Sequence, residues 1–320
     1  MKLSVIAPMY NEAENIERTY NRISEELDKH HFKNRELIFV NDGSTDQTWE
    51  KANTLANQKK DLTVLGYSFN QGRGKALRTG FDYADGDIIL TTDFDLSYAP
   101  SHLSQMIVTL DQNPEIDMVL TSCYMPGGKT VNVPKVRLWL SKYGNYLFRF
   151  AFNPPIYTST CVVRGYRKKV IKDLVLESDR KEIHLEILSK ALTYGYKIKE
   201  IPGTLEKRSY GKSSFKFRAT SLSHLLFFIH ERPFLLFGLL GTILLVLGIL
   251  SGGVIIYSRF LASPAFTETF IGKLVSPNFV IILSLSGLQI IGLGFLGLQN
   301  TLLKKELFKV QRQLARANKD

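Results

Sequence analysis

The stretch Asp87-Ile88-Ile89-Leu90-Thr91-Thr92-Asp93-Phe94-Asp95 runs from an apolar segment straight into a pair of carboxylates. A short apolar run bounded by polar residues reads as a buried strand, which sets Asp93 and Asp95 at the strand's carboxyl end. Two acidic side chains flanking one residue there can hold a divalent cation. Mg²⁺ or Mn²⁺ suits carboxylate and phosphate oxygens, whereas Zn²⁺ would want His or Cys nearby. Such a cation would neutralise a diphosphate and stabilise the charge on a departing nucleotide. An isolated Asp-x-Asp pair also describes a solvated turn, so the surrounding pattern decides its meaning.

Upstream, apolar runs at residues 3–7 (LSVIA), 36–40 (ELIFV) and 62–66 alternate with helical spacings over 12–27, 45–56 and 75–84. In the first helix Ile16, Tyr20, Ile23 and Leu27 share one side. Strands alternating with helices predict an α/β fold, a mostly parallel, Rossmann-like sheet covered on both faces. Ligands of such sheets bind at the carboxyl ends of the strands. Polar motifs stand at that position: Pro8-Met9-Tyr10-Asn11-Glu12 after the first strand, Val40-Asn41-Asp42-Gly43-Ser44 after the second, and Asn70-Gln71-Gly72-Arg73-Gly74-Lys75 after the third. Farther on, the pattern predicts a strand at 117–122, an amphipathic helix over 134–152, a helix over 182–194 and a strand at 197–201.

The composition changes after Arg232. Residues 234–257 and 278–303 are uncharged, and each exceeds the roughly 20 residues that cross a bilayer core. Buried core helices are the alternative, but little sequence remains at that end to bury them. Lys212, Lys216, Arg218 and Arg232 precede the first stretch, and Lys304, Lys305, Lys309, Arg312, Arg316 and Lys319 follow the second. The connection carries only Arg259, Lys273 and Glu268. The positive-inside rule then predicts an integral membrane protein with two spans and cytoplasmic termini. No signal peptide is expected, because residues 1–8 lack a charged region followed by a long apolar one.

The formal charge of +11 lies largely beside the spans, where anionic headgroups attract Lys and Arg. No nucleic-acid motif accompanies it, so the expected partner is membrane. Residues 213–232 suit a helix lying on the membrane surface or packed against the soluble part, and the basic tail 304–320 could also lie on the surface. Cys123 and Cys161 suggest neither a disulfide framework nor a zinc site, in keeping with a reducing compartment. Gly248 and Gly252 form a small-xxx-small pair that allows close helix packing or a homo-oligomer contact.

The order PxYNE, (D/N)DGS, NxGxGxAxxxG and DxD resembles family 2 glycosyltransferases of the GT-A fold, across residues 1–100. Ser122-Cys123-Tyr124-Met125-Pro126-Gly127-Gly128, Pro134 with Arg137, the CxxRGYR run at 161–167, His184-Leu185-Glu186, and Arg208-Ser209-Tyr210-Gly211-Lys212-Ser213 resemble the polyprenyl-phosphate branch. That branch includes dolichyl-phosphate mannose synthases and bacterial polyisoprenyl-phosphate glucosyltransferases. The Gln-x-x-Arg-Trp motif of processive synthases is absent, since the only tryptophans are Trp49 and Trp139. The resemblance implies a transferase domain over 1–212, a juxtamembrane segment over 213–232, a two-helix hairpin over 233–303 and a cytoplasmic tail.

It also implies metal-dependent, inverting transfer of a hexose from a UDP- or GDP-sugar to dolichyl or undecaprenyl phosphate. Pro8, Tyr10, Glu12, Val40 and Asp42 would contact the nucleoside, and Asp93, Asp95 and the backbone of Phe94 would hold Mg²⁺ or Mn²⁺ and the diphosphate. Arg137, Ser141, Arg208 and Lys212 would bind phosphates of donor or acceptor, with Arg137 counted among the catalytic groups. An Arg suits phosphate because its planar fork makes paired, charge-assisted hydrogen bonds. Four positions depart from the family pattern. Ser97 stands where mannose synthases often have Gln, Cys123 where many relatives have Arg, Asn41 where the first of two carboxylates is usual, and 157–160 lacks an acidic residue. A phosphate monoester is already ionised near neutral pH, so no strong general base is required, and Glu186 or Asp179 would at most position the acceptor. Two alternatives stay open: a lipid or glycan hydroxyl as acceptor, which needs a carboxylate base, and a non-catalytic, nucleotide-binding membrane scaffold.

Overall fold

The computed structural model describes residues 1–134, 138, 141–146, 149, 152, 155–206, 232–260 and 276–317. Arg137, Arg208, Lys212 and nearly all of the 213–232 segment lie outside the described residues. Two compact units result, one comprising Met1–His224 with Phe308–Asp320 and the other Leu225–Leu307.

The first unit runs β1 (Leu3–Met9), α1 (Ile16–Lys29), β2 (Arg35–Asp42), α2 (Thr48–Ala56), β3 (Leu62–Tyr67), α3 (Arg73–Tyr83), β4 (Ile88–Thr91), α4 (Ser101–Gln112), β5 (Met118–Ser122), β6 (Lys129–Val131), β7 (Arg164–Arg167), α5 (Lys168–Asp173), α6 (Ile183–Thr193), β8 (Ile198–Pro202) and β9 (Thr204–Glu206). Its sheet has the order β3-β2-β1-β4-β7-β5-β8, and β6 pairs with β9 in a separate ribbon. β1 pairs parallel with β2 and β4, β2 with β3, and β5 with β8. The core is built from inward-facing strand residues such as Val5, Ala7, Phe39, Leu90 and Val119, packed by Ile23 and Leu27 of α1 and by Met106 and Leu110 of α4. Burying each of the larger of these side chains contributes about 1.5–3 kcal/mol.

The expected helix at 12–27 begins later, at Ile16. Asn11 holds φ 54°, a left-handed value that an Asn tolerates, and Asn15 N–H donates to the Glu12 carbonyl at 2.8 Å. The chain therefore turns once more before helix sets in. Strand β7 was not anticipated. It runs antiparallel to both β4 and β5. Its sequence, Arg-Gly-Tyr-Arg, carries no apolar alternation, because its buried anchor is a cation. Arg164 is fully buried and donates to the carbonyls of Cys161 (2.7 Å), His184 (2.9 Å) and Ser159 (2.6 Å). A buried guanidinium is tolerable when its donors are matched in this way.

The second unit contains α7 (Pro233–Phe260) and most of α8 (Pro277–Ala317). Both helices are long and apolar enough to cross a membrane, over Pro233–Ser258 and Pro277–Leu314. They pack through small residues. A Cβ on Gly241 would lie 2.7 Å from the Gly287 carbonyl, one on Gly287 would lie 2.7 Å from the Leu245 amide, and one on Gly248 would strike Ser284. Gly252 meets only Val280, at an ordinary 3.6 Å. Gly248 thus serves packing within the hairpin, alongside Gly241 rather than Gly252. The tail expectation also changes, since α8 continues unbroken to Ala317 and its residues from Phe308 onward belong to the first unit.

Candidate active site

The carboxyl edge of β1, β2, β3 and β4 carries four loops, of which the first three are hydrogen-bonded to one another. After β1, Asn11 N–H donates to Ser44 Oγ (2.9 Å), and its Oδ1 accepts from Thr45 N–H (2.9 Å). Glu12 N–H donates to Thr48 Oγ1 at 2.8 Å. Beyond β3, the Asp42 carboxylate accepts from Asn70 Nδ2 (3.0 Å), Gln71 N–H (2.8 Å) and Gly72 N–H (2.9 Å). Asp42 is thus the post on which the 70–72 loop hangs, a duty its expected nucleoside contact leaves out. Pro8 pairs in register with Val40, whose side chain is buried in the core, while Tyr10 remains exposed.

Asp93-Phe94-Asp95 forms the turn after β4. The Phe94 ring is buried and meets Phe39 edge-on with centroids 4.8 Å apart. The Phe94 carbonyl accepts from Thr19 Oγ1 at 2.6 Å. The middle residue of the motif is therefore a core anchor that fixes the two carboxylates on either side. Asp95 is buried, and its Oδ1 accepts from Ser97 N–H at 3.0 Å. Ser97, one of the departures from the family pattern, braces Asp95 through its backbone N–H, which any residue but proline could do.

Arg73 faces this turn, with Nη2 3.6 Å from Asp93 Oδ1. It lies in the glycine motif noted in the sequence, yet a lone Arg between two glycines gave no sign of its partner. Gly72 and Gly74 flank it because the 178–180 loop presses on both. A Cβ on Gly72, where φ is 107°, would lie 2.5 Å from the Asp179 carbonyl. One on Gly74 would lie 2.6 Å from the Asp179 carbonyl carbon.

The two carboxylates offered as acceptor-positioning groups are engaged elsewhere. Asp179 pairs with Arg78, and its carbonyl accepts from Lys75 N–H at 3.0 Å. Glu186 accepts from Glu177 N–H (3.0 Å), Ser178 N–H (2.9 Å) and Lys190 Nζ (2.7 Å). Burial pushes the Glu186 carboxyl up, but the Lys190 bond and charge, with the Ser178 amide, bring it below its ordinary value. Both groups hold loops.

Ser141 is helical, and its carbonyl accepts from Asn145 Nδ2 at 2.9 Å. Asn145 Oδ1 in turn accepts from Ser159 N–H at 2.9 Å. The 157–160 stretch, which has no acidic residue of its own, receives one from β8: the Glu200 carboxylate accepts from Tyr157 N–H (2.8 Å) and Thr158 N–H (2.9 Å). Cys123 and Cys161 are free and buried. Burial, and then the nearby Asp93 charge, push the Cys161 thiol up to about 12.

Among the described residues no three His, Cys, Asp or Glu side chains cluster as a metal cage. Asp93 and Asp95 alone suit Mg²⁺ or Mn²⁺, which take one or two protein carboxylates and fill the remaining positions with water and phosphate oxygens. A closed structural zinc site would need four protein ligands.

Comparison with known proteins fits this geometry. The sequence profile of "Glycosyl transferase family 2" matches residues 4–175, more than half of the chain. A "Dolichol-phosphate mannosyltransferase" of Pyrococcus furiosus is 35% identical over 68% of this chain and 60% of its own length. The chain thus spans less than two thirds of that relative. A "Polyprenol monophosphomannose synthase" of Mycolicibacterium smegmatis is 32% identical over 65% of this chain and 79% of its own. An "Undecaprenyl-phosphate 4-deoxy-4-formamido-L-arabinose transferase" of Proteus mirabilis is 27% identical over 92% of this chain and 87% of its own. In shape the chain is similar to glucosyl-3-phosphoglycerate synthase from Mycobacterium tuberculosis, crystallised with Mn²⁺ and UDP, with TM-score 0.53, 17% identity and coverage of 72% of this chain and 76% of that one. The chain belongs to glycosyl transferase family 2.

Proposed function

We propose that this family 2 glycosyl transferase moves a sugar from a UDP- or GDP-sugar onto a polyisoprenyl phosphate at the cytoplasmic face of a membrane. The observation that carries the reading is the Asp93-Phe94-Asp95 turn. It is anchored by Phe94 in the core and by Thr19, at the carboxyl edge where three further loops converge. Relatives named for transfer to dolichol, polyprenol and undecaprenyl phosphates supply the acceptor class.

In this reading the loops after β1, β2 and β3 bind the nucleoside, with Pro8, Tyr10, Glu12, Val40 and Asp42 at or beneath that edge. Asp93 and Asp95 present their carboxylates toward the diphosphate. A divalent cation held there, Mg²⁺ or Mn²⁺, would offset the charge that develops as the nucleoside diphosphate leaves. A phosphate oxygen of the lipid attacks the anomeric carbon from the face opposite the breaking bond to the diphosphate, inverting that centre. The lipid phosphate is already an anion, so no proton has to be removed from the nucleophile. Glu186 and Asp179, both held in structural bonds, are consistent with a reaction that needs no carboxylate base. Ser141 and, outside the described residues, Arg137, Arg208 and Lys212 remain the groups assigned to phosphate. The apolar, outward-facing lengths of α7 and α8, for example Leu239, Ile249, Leu285 and Leu296, suit lipid contact and two spans.

The acceptor is tested by offering the detergent-purified protein a sugar nucleotide with either a short polyprenyl phosphate or the matching free polyprenol. Glycolipid from the phosphate alone is expected. Product from the alcohol would replace the reading with transfer to a hydroxyl.

A further inference from the structure

The end of α8 is docked on the first unit by more contacts than a solvated tail needs. Arg312 Nη2 and Nε donate to Asp173 Oδ2 at 2.7 and 3.0 Å, Nη2 to Tyr196 Oη at 2.9 Å, and Nη1 to the Tyr194 carbonyl at 3.1 Å. Its guanidinium also stacks over the Tyr194 and Tyr196 rings, 4.8 and 5.0 Å from their centroids. One turn earlier Phe308 is buried, and its carbonyl accepts from Tyr194 Oη at 3.0 Å. A paired, stacked guanidinium of this kind is a specific lock that Lys would not reproduce.

The lock leads inward. Lys190 Nζ, itself 2% exposed, lies 4.7 Å above the Phe308 ring and donates to Glu186 at 2.7 Å and to the Val175 carbonyl. Glu186 holds the amides of Glu177 and Ser178. The segment from Asp173 to Ser178 is thereby fastened at Asp173 by Arg312, at Val175 by Lys190, and at 177–178 by Glu186. Its continuation, 178–180, packs on Gly72 and Gly74 and accepts the Lys75 amide. Between those glycines stands Arg73, paired with Asp93.

We propose that the docked end of the C-terminal helix is a positioning element of the active site, with Arg312 and Phe308 as its positioning residues. They act through Lys190, Glu186 and the 173–180 segment on the Gly72–Lys75 turn, and so on the placement of Arg73 beside Asp93. The inference rests on the reading of Asp93 and Asp95 as the metal and diphosphate site. Neither residue touches substrate, and their effect is on geometry. The end of the helix that carries Phe308 and Arg312 then helps to hold the active site in shape and is not a dispensable basic tail.

The test uses the full chain in detergent micelles, comparing wild type with Arg312→Ala, Arg312→Lys, Phe308→Ala and Asp95→Asn. Hydrogen exchange is read at the amides of Glu177, Ser178 and Lys75, and the half-saturating Mn²⁺ concentration is read from sugar-nucleotide turnover. Arg312→Ala and Phe308→Ala are expected to speed exchange at those three amides by roughly tenfold, as loss of a charge-assisted anchor opens local structure. They should also raise the Mn²⁺ requirement severalfold, with Arg312→Lys falling between. Unchanged exchange at 177, 178 and 75, or loosening no greater there than across the β1–β3 core, would overturn the inference. Asp95→Asn separates the two readings. It should cut turnover by up to about 10²–10³ with exchange at these amides intact, whereas full activity in that variant would sink the site assignment on which the inference rests.

Discussion

Asp93 and Asp95 are held by different means, and the difference bears on what each residue can tolerate. Asp95 is buried and braced by the Ser97 amide, while Asp93 faces Arg73 at 3.6 Å. Behind them, burial raises the Cys123 thiol above its ordinary value, and burial with the Asp93 charge raises Cys161 to about 12. Raising a thiol's pKa lowers its thiolate fraction, the thiol form is a poor nucleophile, and burial also keeps reagent away. Native protein at pH 8 should therefore leave both cysteines unmodified by a thiol-specific disulfide reagent, and denaturant should release both. Rapid native labelling of Cys161 would place it outside the core. At this scale the sequence spoke unevenly. The Asp-x-Asp pair was legible because its chemistry resides in the two residues and the strand before them. The pairing of Arg73 with Asp93, and of Asp42 with the 70–72 loop, was not, because each joins residues that meet only once β3, β2, β1 and β4 are assembled in one sheet. Arg137, Arg208 and Lys212 keep the roles the motifs suggest, as proposals.

Among the elements, α3 shows how closely two loops must approach to shape the edge. Gly74 has the 178–180 backbone where a Cβ would go, against Ser178, Asp179 and Arg180. Gly74→Ala should destabilise the first unit by about 1–3 kcal/mol, the usual cost of overpacking. Thermal unfolding measures it, and an unchanged midpoint would mean that the loop yields freely. The hairpin allows a parallel argument. Gly287→Leu should push the two helices apart and lower the hairpin's thermal stability in detergent, since that position abuts the other helix's backbone. An unchanged midpoint would mean that the helices do not pack there. The alternation of apolar strands with amphipathic helices was readable because local periodicity encodes it. Strand β7 was hidden because its buried anchor, Arg164, is a charged residue, satisfied by the carbonyls of Cys161 and Ser159 just before the strand and of His184 farther along. The short β6–β9 ribbon was hidden for a related reason, since three-residue strands carry too little pattern to stand out.

For the molecule as a whole, composition changes near Arg232, while the two compact units divide between His224 and Leu225 and again between Leu307 and Phe308. The boundary at the far end was not legible. A basic tail after an apolar stretch reads as a solvated or lipid-facing segment, yet Phe308 and Arg312 complete the first unit. Their partners Asp173, Tyr194 and Tyr196 are more than a hundred residues away in sequence, beyond the reach of any local pattern. Family membership assigns the transferase fold and chemistry, and the hairpin supplies two helices long enough to span a bilayer. On the proposed reading, one chain carries both a sugar-nucleotide site and a membrane anchor.

The central claim, that Asp93 and Asp95 drive sugar transfer to a polyprenyl phosphate, is met most directly by one assay. Wild-type protein and Asp95→Ala, each with Mn²⁺, would receive a panel of UDP- and GDP-sugars and a short-chain polyprenyl phosphate, with glycolipid read by mass spectrometry. The account predicts a polyprenyl-phosphate sugar from one donor, reduced by about 10²–10³ in the variant, the loss typical when a principal electrostatic group at a departing anion is removed. Sugar nucleotides that bind without yielding any such lipid, or a variant as active as the wild type, would contradict it.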